Sequence, residues 1–410
     1  MVTGDGPRFA IRPTGWVLLL SSLAWPWLYL ALLSASFVLL VVGEGLRVGR
    51  KTKMDFLLPS IALLSASFLM SVVFSRVPSL SAYAFGCFLL IVGFCLVVAQ
   101  ILEDEAAFVE AWTVIATAVF FLALRVIVWR VDEGLNIAAY HIRNNAWLGK
   151  LQIAWVLNLF APLLLARFMS ERAIVKSALN GITWVLSGTA IHLLFSRMGS
   201  LTFAVTTLSV CLLNPSYWRR WITLLAAFTG VTLVLIVHSA AMPTYVVSTL
   251  IRFDQDASFV IHQGVWREAV RMFLDHPVTG IGLGTYDDVA YSQYQTGGDR
   301  HFFRNGWNAN NVFLHVLAET GTLGILAWCY LWYAILRFLL RTWRDGDARG
   351  RLNSSAVLCA LLAFFILSLT EALIGARVHA SLRMNLTIGL LVVYGIRLAS
   401  SMRTRGSCDA

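Results

Sequence analysis

A chain that must cross a lipid bilayer has few folds open to it, and this one carries apolar runs long enough to do so along most of its length. They lie at about 15–46, 54–74, 79–101, 108–128, 147–168, 173–195, 198–213, 219–238, 311–340, 354–374 and 382–399; one helical crossing takes about 17 to 25 residues. Hydrocarbon offers the backbone no hydrogen-bond partners, so runs of this length must be helices. Composition agrees: the chain is 58% hydrophobic and 13% charged, where a soluble domain carries about 25% charged residues. The expected fold is an all-α integral membrane protein.

The first run is too long for one crossing and holds Pro26 near its middle. Lys and Arg cluster on the cytoplasmic side of membrane helices. The clusters here are Arg8 and Arg12; Arg47, Arg50, Lys51 and Lys53; Arg167, Arg172 and Lys176; Arg219 and Arg220; Arg341, Arg344, Arg349 and Arg351; and Arg403 and Arg405. All fall on one face only if 15–46 crosses twice, which gives about twelve spans with both termini cytoplasmic. The net charge of +10 is then mostly this bias, and nucleic acid is not an expected partner. No small-residue cleavage site follows the first run, so a cleavable signal peptide is not expected. Cys87, Cys95, Cys211, Cys329 and Cys359 lie within spans and Cys408 in the tail, with no CxxC metal spacing.

The expected organisation is nine transmembrane helices over 1–239, a large outer loop over 240–310, three more helices over 311–400, and a cytoplasmic tail, 401–410. A loop of that length in a compact protein is usually functional. Within it WREAVRMFLDHP reads as an amphipathic helix, with Trp266, Ala269, Val270 and Phe273 at helical spacing. Pro277 and GIGLG end it, and Gly280, Gly282 and Gly284 read as a turn rather than a dinucleotide fingerprint, because no strand precedes them. A smaller outer segment at about 131–145 supplies His141 and Arg143. Arg76, Arg377, His379 and Arg383 complete the outer polar surface.

Arginine on the outer face runs against the inside bias, and its planar fork suits phosphate. Arg197, in FSRMGS, stands where a span emerges, and Arg267 and Arg271 lie one turn apart. The plain alternative is pairing with Glu268 and Asp275, or snorkelling to lipid phosphates. In NANNVFLHVLAETGTLG, residues 308–324, Asn311, His315 and Glu319 are four apart. They should share a helix face turned into the bundle, since ionisable groups are expensive against lipid. The plain alternative here is that His315 and Glu319 bond each other or tie down the outer loop. Asp254 with Asp256, and Asp287 with Asp288, are the pairs a divalent ion would use, although Asp-rich turns are common.

These segments resemble the O-antigen ligase and O-antigen polymerase superfamily. The likeness rests on FSRMGSLTF at the end of a span, WREAVRMFLDHPVTGIGLGTY in a large outer loop, and NANNVFLHVLAETGTLG opening the next span. It covers roughly 180–345. Family members show His-Asn, nine residues, then Gly-x-x-Gly; Asn311, Gly321 and Gly324 keep that frame, while the family's His falls on Asn310. The resemblance implies a GT-C type, metal-independent, inverting glycosyltransferase of the bacterial inner membrane, with a periplasmic active site in the 240–310 region and no cofactor. Its donor would be O-antigen on undecaprenyl pyrophosphate and its acceptor lipid A-core, both met among membrane lipids. Arg197 and Arg267 would hold the donor pyrophosphate, with Arg271, Arg300 and Arg304 in reserve; Glu319 matches the motif's Glu.

The proton acceptor stays open. His301 or His315 would serve as base; or the motif position orients the acceptor sugar, a task Asn310 can share; or this copy is inactivated. An O-antigen polymerase or a protein O-oligosaccharyltransferase would share these motifs. A lipid or glycan transporter would instead show related halves with broken helices near the midplane.

Overall fold

The computed structural model describes residues 52–132, 150–194, 196–238, 257–294, 308–370 and 378–400. The expected crossings in 15–46, parts of the outer loop and the tail lie outside them. The helices are α1 (Leu58–Val73, led by a 3-10 turn Asp55–Leu57), α2 (Pro78–Ile101), α3 (Glu105–Asp132), α4 (Lys150–Ser170), α5 (Ile174–Leu193), α6 (Arg197–Leu213) and α7 (Trp218–His238). Next come α8 (Ala257–Asp275), the short α9 (Tyr286–Val289) with a π turn over Ala290–Tyr294, α10 (Val312–Asp345), α11 (Ala348–Ser368) and α12 (Val378–Ser400).

Among the described residues, six helices are long and apolar enough to cross a membrane, or seven if α6 and the segment Pro215–Gly230 count as one bent span. That pair is where the structure departs from two independent crossings at 198–213 and 219–238: the helices meet at 98°. Asn214 caps α6 with φ −134° and ψ 60°, and Pro215 disfavours helical geometry in the residue before it. Helix α5 forms where expected, but Lys176, Asn180, Thr183, Ser187 and Thr189 dilute its apolarity.

Helices α4 and α11 are the centre of the bundle, with 72% of their apolar windows buried against 28 to 33% for α1, α2, α3 and α10. The inner pair needs apolar residues all round; the others keep a face for lipid. Trp155 of α4 meets Phe364 of α11 edge-on with centroids 5.8 Å apart, and Trp332 of α10 stacks on the same ring at 4.9 Å.

Among the described residues, one end of the bundle gathers the basic side chains. Arg397 donates to Leu102 O at 2.7 Å and pairs with Glu105 at 3.2 Å. Arg167 reaches Tyr394 Oη at 2.7 Å and covers the Trp112 ring at 5.3 Å. Arg220 donates to Met169 O, one of the unpaired carbonyls at the end of α4. Asn214 bonds Ser355 at 2.8 Å, bringing the α6–α7 break to the same end. The opposite end carries the polar construction described next.

Candidate active site

Helix α10 covers 34 residues with a break at Gly321; the arm after the break, residues 322–345, is about 36 Å at 1.5 Å per residue and by itself outreaches a hydrocarbon core of about 30 Å. Asn311 begins it: extended at φ −161°, its Oδ1 accepts from Leu314 N at 3.1 Å, and its Nδ2 donates to Leu369 O at 3.1 Å. Asn311 is therefore a cap that ties α10 to the end of α11, rather than the first member of a helical stripe with His315 and Glu319. Asn310 precedes it with φ 45°, a left-handed conformation that Asn tolerates well, and its N–H donates to Asn308 Oδ1 at 2.7 Å.

Gly321 interrupts α10 at φ 60° and ψ −161°, a region essentially restricted to glycine. A continuous helix would pair Thr322 and Leu323 N–H with Ala318 and Glu319 carbonyls. Instead Thr322 and Leu323 donate to Pro277 O and Val278 O at 2.8 and 3.2 Å, while Ala318 O and Glu319 O accept from Ile281 and Gly282 N–H, both at 3.0 Å. The outer-loop segment 277–282 is thus spliced into the break. Gly280 has φ 70°, and a Cβ on it would collide with the Glu319 carbonyl. The three glycines do form the expected turn, and the turn's partner is the Gly321 break.

Glu319 completes the splice. Its side chain is 2% exposed, with Oε2 accepting from Gly284 N at 2.8 Å and Oε1 from Tyr286 N at 3.0 Å. Ser71 Oγ of α1 adds a bond to the Glu319 carbonyl at 2.7 Å. The carboxylate is therefore a clamp on the outer loop, as the plain alternative holds. His315, 1% exposed, lies one turn away with Nε2 3.4 Å from Glu319 Oε1 and its ring 5.1 Å from that of Tyr286. Tyr286 in turn donates to Val265 O of α8 at 2.9 Å; burial and the nearby acidic groups Glu268, Glu319 and Asp287 hold its phenol well above the usual range.

Helix α8 is amphipathic as expected, but with its face turned. Val265, Ala269 and Met272 are fully buried while Val270 is 41% exposed. Two apolar stripes overlap in this segment, and packing on α10 selects the one through Val265. Arg267 and Arg271 fall on the exposed side. Arg197 opens α6 at this same end, half-buried, after Ser196 Oγ accepts from Gly199 N at 3.1 Å. His301, Arg300, Arg304, Asp254 and Asp256 lie outside the described residues; Asp287 and Asp288 sit in the first turn of α9.

Below the Glu319 clamp runs a cavity of about 250 Å³ between α1, α2, α10 and α12. His315, Glu319, Leu283 and Gly284 cap it, and its walls continue past Phe68, Phe88 and Trp332 to Leu57 and Ile335. Along α10 the lining runs from His315, before the Gly321 break, to Ile335, well beyond it. Sequence reasoning missed this slot, because its walls come from four separated segments with no shared motif.

A bundle of membrane-length helices with a polar, loop-clamped cluster over a largely apolar slot defines the class, a multi-pass membrane protein. A family model described as O-antigen ligase matches residues 182–329, which span Arg197, α8, the glycine turn and the break in α10. The match supports membership of the O-antigen ligase and polymerase superfamily, whose members act on polysaccharide and lipid-linked substrates. No curated protein matches the chain.

Proposed function

We propose that this chain is an O-antigen ligase: a glycosyltransferase that moves O-antigen polysaccharide from undecaprenyl pyrophosphate to a sugar hydroxyl of lipid A-core, on the periplasmic side of a bacterial inner membrane. The observation that carries it is the slot of about 250 Å³, lined mostly by apolar side chains, with His315, Glu319, Thr320 and Asn385 as its polar lining. That shape suits a long prenyl tail with a charged head at the boundary. The gathering of basic clusters at the opposite end favours that end as cytoplasmic, with both termini there.

The chemistry asks for positioning more than for strong reagents. The acceptor hydroxyl attacks the anomeric carbon with inversion, the bond from that carbon to the pyrophosphate oxygen breaks, and undecaprenyl pyrophosphate departs with the electron pair. Arg197, Arg267, Arg271 and Arg304 would neutralise the leaving diphosphate. The acceptor's proton needs a base that titrates near neutrality. His315 is the strongest described candidate: it lines the slot and has Glu319 beside it to fix its ring. His301 is the other, and Asn310 would orient the acceptor through its amide. Glu319 acts through His315 and through the loop it clamps.

A transfer assay with the purified full chain, undecaprenyl-pyrophosphate glycan and lipid A-core, run beside Asn310→His, tests the reading. Product from the chain as it stands supports a ligase that works with Asn at this position. Product only after Asn310→His marks an inactivated copy. Glycan extension only with a second lipid-linked glycan as acceptor indicates a polymerase, and no transfer from either protein to any acceptor overturns the transferase reading.

A further inference from the structure

A second polar construction stands at the same end, built from residues 200 apart in sequence. Arg76 lies in the turn between α1 and α2, and its backbone N–H donates to Ile281 O at 2.9 Å. Its exposed side chain donates from Nε at 3.2 Å and from Nη2 at 2.9 Å to a single atom, His276 Nε2. A guanidinium has donors only, so Nε2 must be the acceptor and the imidazole must be neutral, with its proton on Nδ1. A neutral acceptor holds the fork in place without cancelling its charge. The nearby carboxylate, Asp275, receives Tyr294 Oη at 2.6 Å. Two of the five guanidinium N–H groups are used by His276, which leaves three for an anion.

The position matters as much as the charge. Ile281, which Arg76 grips, is two residues from Leu283 and three from Gly284 at the cap of the slot, a reach of at most about 7 Å to Leu283. Ser75 bonds Ser81 at 2.7 Å, and Ser81 donates to Leu283 O at 2.9 Å. The α1–α2 turn is thus fastened to the cap at both Ile281 and Leu283.

We infer that Arg76, positioned by His276, is a phosphate-binding residue at the mouth of the apolar slot, taking the diphosphate head of a prenyl lipid whose tail lies below. This rests on the donor reading above and adds a binding group from outside the large outer loop. Bulk phospholipid head groups carry the same phosphate chemistry, and the experiment separates the two sources.

The full chain in nanodiscs is compared with Arg76→Gln, His276→Ala and His276→Gln. Losing a charge-assisted bond to phosphate raises donor KM about tenfold to a hundredfold, with kcat and acceptor KM little changed. His276→Ala moves donor KM in the same direction, and His276→Gln, whose amide oxygen can still accept from the fork, recovers much of the loss. A fall in kcat or in thermal stability at unchanged donor KM marks a merely structural contact and overturns the inference. A binding arm needs no turnover: a fluorescent undecaprenyl diphosphate is displaced by undecaprenyl diphosphate, undecaprenol or phosphatidylglycerol. Preference for the diphosphate over undecaprenol that Arg76→Gln reduces supports the site even if no transfer is seen. Equal competition by phosphatidylglycerol assigns Arg76 to bulk lipid and overturns it.

Discussion

Two side chains at the site, Glu319 and His276, show how much a residue's role depends on its partners. Glu319 offers its two oxygens to two backbone N–H groups. In Glu319→Gln one oxygen becomes an NH₂ facing an N–H, and the buried donor left unpaired costs about 1–3 kcal/mol. The expected outcome is faster hydrogen exchange at the Gly284 or Tyr286 amide together with a lowered thermal midpoint; unchanged exchange at both would mean that the carboxylate is not the clamp. His276 responds to pH. Its pKa is lowered from 6.5, by burial first and by Arg76 second, with Asp275 opposing. The folded ring therefore binds fewer protons than the unfolded one below pH 6.5, so its contribution is complete above that pH and is lost as pH falls through the folded pKa. Tyr294, pushed up to about 12 by burial and by Asp275, does not titrate there. Protonation makes Nε2 a donor and breaks the bond to Arg76, so donor KM should rise as pH falls through that lowered pKa, and His276→Gln should flatten that limb.

At the scale of elements, the distinctive unit is the join between α10 and the segment 277–282. Helices broken in apolar surroundings must have their freed backbone groups paired again, and here four exchanged bonds do so. Both sides depend on glycine. In Gly321→Ala the backbone at φ 60° becomes strained, at about 1–3 kcal/mol, and the new methyl meets the Val278 carbonyl. The variant should lose thermal stability and expose 277–284 to proteolysis while the α4–α11 core stays folded. A variant as protected as the parent would mean that the join is not needed to hold the outer loop. The 98° turn between α6 and α7 lies at the other end and is the one bent helix pair of its kind among the described residues, whereas a transporter of the broken-helix kind uses a matched pair.

At the scale of the whole molecule, the slot links the site to the lipid phase. Leu96 lines it, on α2 and away from the cap, so Leu96→Trp fills the lower slot without touching His315 or Glu319. Displacing even two buried methylenes of a prenyl tail forfeits about 1.6 kcal/mol, roughly a tenfold rise in donor KM. The measurement is donor KM against acceptor KM at unchanged thermal midpoint; a rise in acceptor KM alone would remove the tail from this slot.

Hydrophobic run length made the membrane class and the positions of most described helices legible from residues alone, because a bilayer imposes local rules on every crossing. The 308–324 stretch likewise announced itself, since polar groups in an apolar run need a reason. Contacts between distant segments followed no such rule. The grip of Glu319 on Gly284 and Tyr286, the splice of 277–282 into α10, the pairing of Arg76 with His276 and the four-helix slot each join segments tens to hundreds of residues apart. Their spacing leaves no period to read, so only the packing of the folded chain decides them.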